Sequence, residues 1–120
     1  MKLKIRSVAD KGVVGKERLV VKVVDDANVG EFLVLCTGFV DGQVNIAVTN
    51  TYWFPDKEVR SGDLVILYTK AGTNGEKVLD SGSKAHFFYW GVGSVIWSPS
   101  DKAAVLLHAP VWESSGSDEL

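Results

Sequence analysis

The chain has a single cysteine, a single methionine and three prolines in 120 residues. A lone cysteine excludes an internal disulfide, so no fold stapled by bridges is available and an apolar core has to hold the chain together. Cys36 stands in the run Phe32-Leu33-Val34-Leu35-Cys36. There a thiol serves as a small buried hydrophobe rather than a reactive group. No apolar run approaches the roughly 20 residues of a membrane-spanning helix. Met1-Lys2-Leu3-Lys4-Ile5-Arg6 alternates polar and apolar residues where a secretion signal would be continuously apolar. The location expected is therefore cytoplasmic, or a virion, with no membrane partner. Ser117-Asp118-Glu119-Leu120 only loosely echoes a retrieval signal, and such an address needs an entry signal before it can be read.

An excess of one charge is also missing. Thirteen basic residues against 15 acidic ones leave a net charge of −2. That balance speaks against a surface devoted to a nucleic-acid backbone, so no nucleic-acid partner is expected. The usual catalytic patterns are absent too. There is no Gly-x-Ser-x-Gly elbow, and Gly91-Val92-Gly93 lacks the third glycine and the helix of a dinucleotide loop. The two histidines, His86 and His108, lie far from each other and from Cys36 in sequence, with none of the close ligand spacing of a zinc site. An enzyme would need one of them facing a carboxylate in a cleft. Asp25, Asp26, Asn28 and Glu31 offer hard oxygen ligands on one turn, but a solvated turn is the simpler account. The expectation is no catalytic residue, no metal and no cofactor.

What the chain does have is short strand-like runs separated by turn residues. Lys2–Val8 alternates with period two, and Glu17–Val24 is rich in β-branched residues. Glu31–Thr37 is a further strand. Asp41-Gly42 marks a tight hairpin leading into Gln43–Thr49, where Val44, Ile46 and Val48 share one face. Ser61-Gly62 supplies a turn before the apolar run Leu64–Tyr68, which predicts an interior strand with Val65 and Leu67 on one face. Lys70–Lys84 is mostly turn formers and charge, a long exposed loop with a brief strand at Lys77–Leu79. His86–Trp90, Val95–Trp97 and Lys102–His108 follow, and Val111 and Trp112 are positioned to close the sheet. No segment carries a helical period. The reading is all-β: one antiparallel immunoglobulin-like β-sandwich over residues 1–113, followed by a polar tail at 114–120 expected to be disordered.

Residues 54–113 resemble the second half of a lamin-tail domain, an immunoglobulin-like sandwich. The resemblance rests on Phe54-Pro55, Val59, Ser61-Gly62, Val65-Ile66-Leu67-Tyr68, Trp90-Gly91, Trp97 and Ala103-Ala104-Val105-Leu106-Leu107. The first half matches more weakly, through Glu17–Val23, and has Gly38-Phe39 where the family often has Gly-Trp. These motifs belong to a fold rather than to a site.

Aromatic residues are the remaining functional candidates: Tyr52, Trp53, Tyr89, Trp90, Trp97 and Trp112 exceed the two or three large rings a sandwich core takes comfortably, the alternative being that all of them plug the core and its open ends. The flexible Gly91-Val92-Gly93 link would let Tyr89, Trp90 and Trp97 face outward as a partner-binding site. The function expected is a non-catalytic protein-interaction or assembly module, with a protein partner or self-association, for example as an accessory subunit of a larger particle such as a virion. The alternative is a carbohydrate- or small-ligand-binding module, which an exposed coplanar pair of rings would favour. A continuous apolar patch would favour assembly.

Overall fold

Leu64–Tyr68 forms a strand, and that strand is the middle of the larger of two sheets. In the computed structural model, which describes residues 1–120, eleven strands form. They are β1 (Leu3–Ala9), β2 (Arg18–Val23), β3 (Ala27–Asn28), β4 (Phe32–Val40), β5 (Gln43–Val44), β6 (Asn50–Trp53), β7 (Glu58–Val59), β8 (Leu64–Tyr68), β9 (Gly75–Val78), β10 (Lys84–Tyr89) and β11 (Lys102–His108). The larger sheet has the order β1-β2-β8-β10-β9. In the second sheet β4 is central, with β11 along one side and β6, then β5, along the other. β3 and β7 pair as a short separate ribbon.

Side-chain alternation decides which residues meet between the sheets. Leu19, Val21 and Val23 of β2, Val65 and Leu67 of β8 and Phe88 of β10 point inward. Phe32, Val34 and Cys36 of β4 belong to the same core, so the two sheets enclose one apolar layer. Val65 and Leu67 are fully buried on a strand flanked on both sides, as the apolar run after Ser61-Gly62 predicts. Cys36 is a buried free thiol. Asp41 (φ 53°) and Gly42 (φ 74°) both adopt the left-handed conformation of a two-residue hairpin turn, and this joins β4 to β5.

Some local expectations need correction. β10 runs parallel to β8, so the larger sheet is mixed rather than antiparallel. A parallel pair requires a long crossover, and the polar stretch after Tyr68 supplies it. That stretch is less of a loop than expected: Gly75–Val78 turns back and adds an edge strand to β10. After β5, the expected strand to Thr49 stops at Val44. Asn45 accepts a bond from the Ala47 amide and lies over Gly38, where a Cβ would collide with it. This side-chain turn ends the alternation and leaves Ile46 99% exposed. Val111 and Trp112 extend no sheet, and the chain is exposed from Pro110 to Leu120, with one 3-10 turn at Ser117–Glu119. No helix is long and apolar enough to cross a membrane.

Candidate functional site

The three aromatics expected to share an outward surface are dispersed. Trp97 is 5% exposed and belongs to the core. Trp90 lies partly buried between Tyr52 (5.8 Å) and Trp97 (6.0 Å). Tyr89 sits on the outer face of the larger sheet, stacked on Tyr68 at 5.2 Å and 8°. The expectation that Gly91-Val92-Gly93 turns these rings outward fails because that link is tied down. Gly91 N bonds Lys70 O, Val92 N bonds Thr69 O, and Ile96 N reaches the Glu17 carboxylate. The Tyr68–Tyr89 stack is itself crowded. Arg18 and Lys70 lie over Tyr68 at 5.7 and 5.1 Å, and a side chain at Gly72 would collide with the Tyr89 ring.

Two buried polar groups organise the ends of the larger sheet. His86 Nε2 lies 2.8 Å from Asp63 Oδ2, and both side chains are buried. The Asp63 carboxylate also accepts the amides of Lys84 (2.9 Å) and Arg60 (3.0 Å). Burial alone would raise the Asp63 pKa; those two amides, together with the His86 ring, outweigh it and hold the carboxyl below its usual range. The pair borders a polar depression shared with Glu58, Ser61, Glu76 and Ser83. Glu76 is drawn down to about 2 by hydrogen bonds from Lys84 and Lys57. No hydroxyl or thiol is hydrogen-bonded to the imidazole, and its Nδ1 is buried without a partner. At the opposite end Glu17, 1% exposed, accepts bonds from Gly12 N, Thr69 Oγ1 and Ile96 N. It joins three segments with a single carboxylate. Sequence reasoning named His86 and His108 as residues that would have to face a carboxylate, and both do, but it missed Asp63 and Glu17, for which parity was a usable signal. Glu17 is in phase with Leu19, Val21 and Val23, and Asp63 with Val65 and Leu67.

The Asp25–Glu31 ligands diverge. Asp26 accepts Ser61 N and Arg60 Nη1, which lower its pKa. Asn28 Oδ1 caps Gly30 N and accepts Lys57 N, while Glu31 pairs with His108 at 3.0 Å. No three His, Cys, Asp or Glu side chains converge on a metal-sized site.

A further surface feature is the apolar outer face of the second sheet. Residues paired across antiparallel strands point to the same side. Register therefore places Leu33, Leu35 and Phe39 of β4 with Val105 and Leu107 of β11, Trp53 of β6 and Val44 of β5. Between the two ends of this face no paired position is charged; the remaining ones are Thr51, Ala103 and Thr37, which is buried, and the ladder continues through the Phe39 N–Asp101 O and Ala109 N–Glu31 O bonds to an acidic residue at each end. Phe39, Val44, Trp53 and Leu107 are exposed. Trp53 is fixed by a 2.8 Å bond from Nε1 to Gly30 O, and the exposed Trp112 ring packs edge-on against it at 4.8 Å and 89°. In sequence the same face is legible as the odd-numbered positions of Leu33–Phe39. No family model, curated protein or solved structure matches the chain.

Proposed function

We propose that this chain is a non-catalytic assembly module whose contact surface is the outer face of the second sheet. The observation that carries the reading is the absence of charge across the middle of that face, combined with large exposed apolar side chains. A sheet normally alternates apolar-in with polar-out when one side meets water. Here β4 is apolar on both sides, the pattern of a strand covered on both faces. The occupant we assign is a second copy of the chain, packed face to face about a two-fold axis. An uncharged face meets its own copy without like-charge repulsion, and such symmetric pairs are the commonest oligomers. The opposite outer face carries several cations and would repel its copy. A repeating subunit of a larger particle is one form this module would take, and a lamin-tail-like sandwich remains our reading of its fold family.

Two features support this reading over its competitors. The exposed ring pair, Trp53 and Trp112, is perpendicular, whereas a sugar platform uses coplanar rings. The one buried His–Asp pair borders a polar depression, but its carboxylate is held by two backbone amides and the imidazole, and the imidazole is only 2% exposed with no hydroxyl or thiol hydrogen-bonded to it. Sedimentation equilibrium tests the proposal. The parent chain should dimerise reversibly, and Leu107→Glu should dissociate the dimer by at least about tenfold in Kd, because it buries an unpaired charge. Circular dichroism of the same variant checks the fold. A parent chain that stays monomeric at millimolar concentration would overturn self-assembly through this face.

A further inference from the structure

The larger sheet's outer face carries a feature of the opposite kind. A groove of about 570 Å³ runs across β1 and β2 toward the turn after β9, bordered by Lys4, Arg6 and Lys22, with Leu64 and Leu79 as apolar floor and Ser81 at one side. No carboxylate lines it, and none of its three cations takes part in an ion pair or side-chain hydrogen bond within the chain. Two details set it apart from an ordinary solvated sheet face. Lys4 and Lys22 stand directly opposite each other in the antiparallel register, an arrangement that repels. The register also shifts between Ile5 and Ser7, which makes Arg6 the extra residue of a bulge, and bulges re-aim side chains. The chain is net acidic, yet it gathers three unpaired cations around one concavity.

We infer that this groove binds a phosphate-bearing small molecule, with the phosphoryl oxygens among Lys4, Arg6 and Lys22 and the organic part on Leu64 and Leu79. Three cations exceed what a single carboxylate would neutralise. They suit the two or more charges of a phosphate or pyrophosphate, and a guanidinium matches phosphate oxygens bidentately. The bound anion would relieve the Lys4–Lys22 repulsion, so binding and stability are coupled at one pair.

The test uses sodium pyrophosphate as probe at constant ionic strength, read by amide NMR shifts and by thermal unfolding. In the parent chain the amides of Lys4, Arg6, Lys22 and Ser81 should shift, and the Tm should rise. Lys22→Gln should weaken pyrophosphate binding by about tenfold, the loss of one charge-assisted bond. Without anion, the same variant should melt at a higher temperature than the parent, because the like-charge pair is gone. Lys11→Gln, an exposed cation elsewhere, should change neither. An equal loss in Lys11→Gln, or no shift at the groove, would overturn the site. Phosphatidylcholine vesicles containing phosphatidic acid separate the two sources of phosphate. Binding of both probes supports a lipid headgroup in the groove, and binding of pyrophosphate alone supports a soluble ester. Vesicle binding without pyrophosphate binding would overturn the groove as the binding element.

Discussion

Asp63 receives the amides of Lys84 and Arg60 on separate oxygens and holds His86 through one of them. Replacing Asp63 with Asn puts an NH2 group where a carboxylate oxygen accepts, so at least one buried donor is left without a partner. Asp63→Asn should therefore cost about 1–3 kcal/mol. The pH dependence follows from the lowered pKa of the carboxyl. A depressed folded pKa contributes stability that is present above the unfolded value, near 3.9, and is lost as pH falls through the folded value. Urea unfolding of parent and variant should then differ by a constant amount above about pH 5, with the gap closing in more acid solution. A gap that persists unchanged into acid would mean that the carboxylate charge contributes nothing there. Glu17 makes the same kind of three-donor site at the other end of the sheet, so both sheet ends are fastened by single acidic side chains rather than by ion pairs.

At the scale of elements, β8 carries the larger sheet, with β2 antiparallel on one side and β10 parallel on the other. Val65 and Leu67 project from it into the core and are fully buried. Leu67→Ala should destabilise by about 2–5 kcal/mol in chemical denaturation and Val65→Ala somewhat less, since each leaves a cavity. Ile46→Ala, on the exposed bend beside β5, should change stability by less than about 0.5 kcal/mol. Equal effects at Leu67 and Ile46 would contradict the assignment of β8 to the core. The elements legible in sequence were those where apolar periodicity and turn chemistry agree. Ser61-Gly62 before Leu64–Tyr68 and Asp41-Gly42 after β4 are both such places. What was illegible depended on contacts distant in sequence. Asn45 ends a strand because Gly38, across the ladder, leaves room for it. Trp97 is drawn into the core beside Trp90, while the Glu17 carboxylate fixes the neighbouring Ile96 amide. The direction of β10 is set by a crossover whose pairing no local pattern encodes. The uncharged outer face was readable in part, since Leu33, Leu35 and Phe39 alternate in β4, but only the register with β11 and β6 shows that the neighbouring strands add no charge.

The whole molecule presents two outer sheet faces of contrasting chemistry, and salt should act on them in opposite directions. One face is apolar and uncharged across its middle, so its association rests on removal of hydrocarbon from water. Sulfate strengthens that burial because it is excluded from protein surface. The other face holds Lys4, Arg6 and Lys22 in solvent, and attraction to an anion there is screened with a Debye length of about 10 Å at 0.1 M, shrinking to about 3 Å at 1 M. Raising sodium sulfate should thus tighten the dimer measured by sedimentation while weakening pyrophosphate binding measured by NMR. Ionic strength raised with sodium chloride should weaken pyrophosphate binding and leave the dimer nearly unchanged. The two variants separate the faces further. Leu107→Glu should abolish the sulfate response of association and keep the pyrophosphate shifts, whereas Lys22→Gln should keep the sulfate response and weaken pyrophosphate binding. If chloride dissociated the dimer as strongly as it displaced pyrophosphate, the contact between copies would be electrostatic. It would then involve the cation-bearing sheet or the rim of the apolar face at Glu31 and Asp101, because the middle of that face, through Leu33, Leu35, Trp53, Val105 and Leu107, has no charge for chloride to screen.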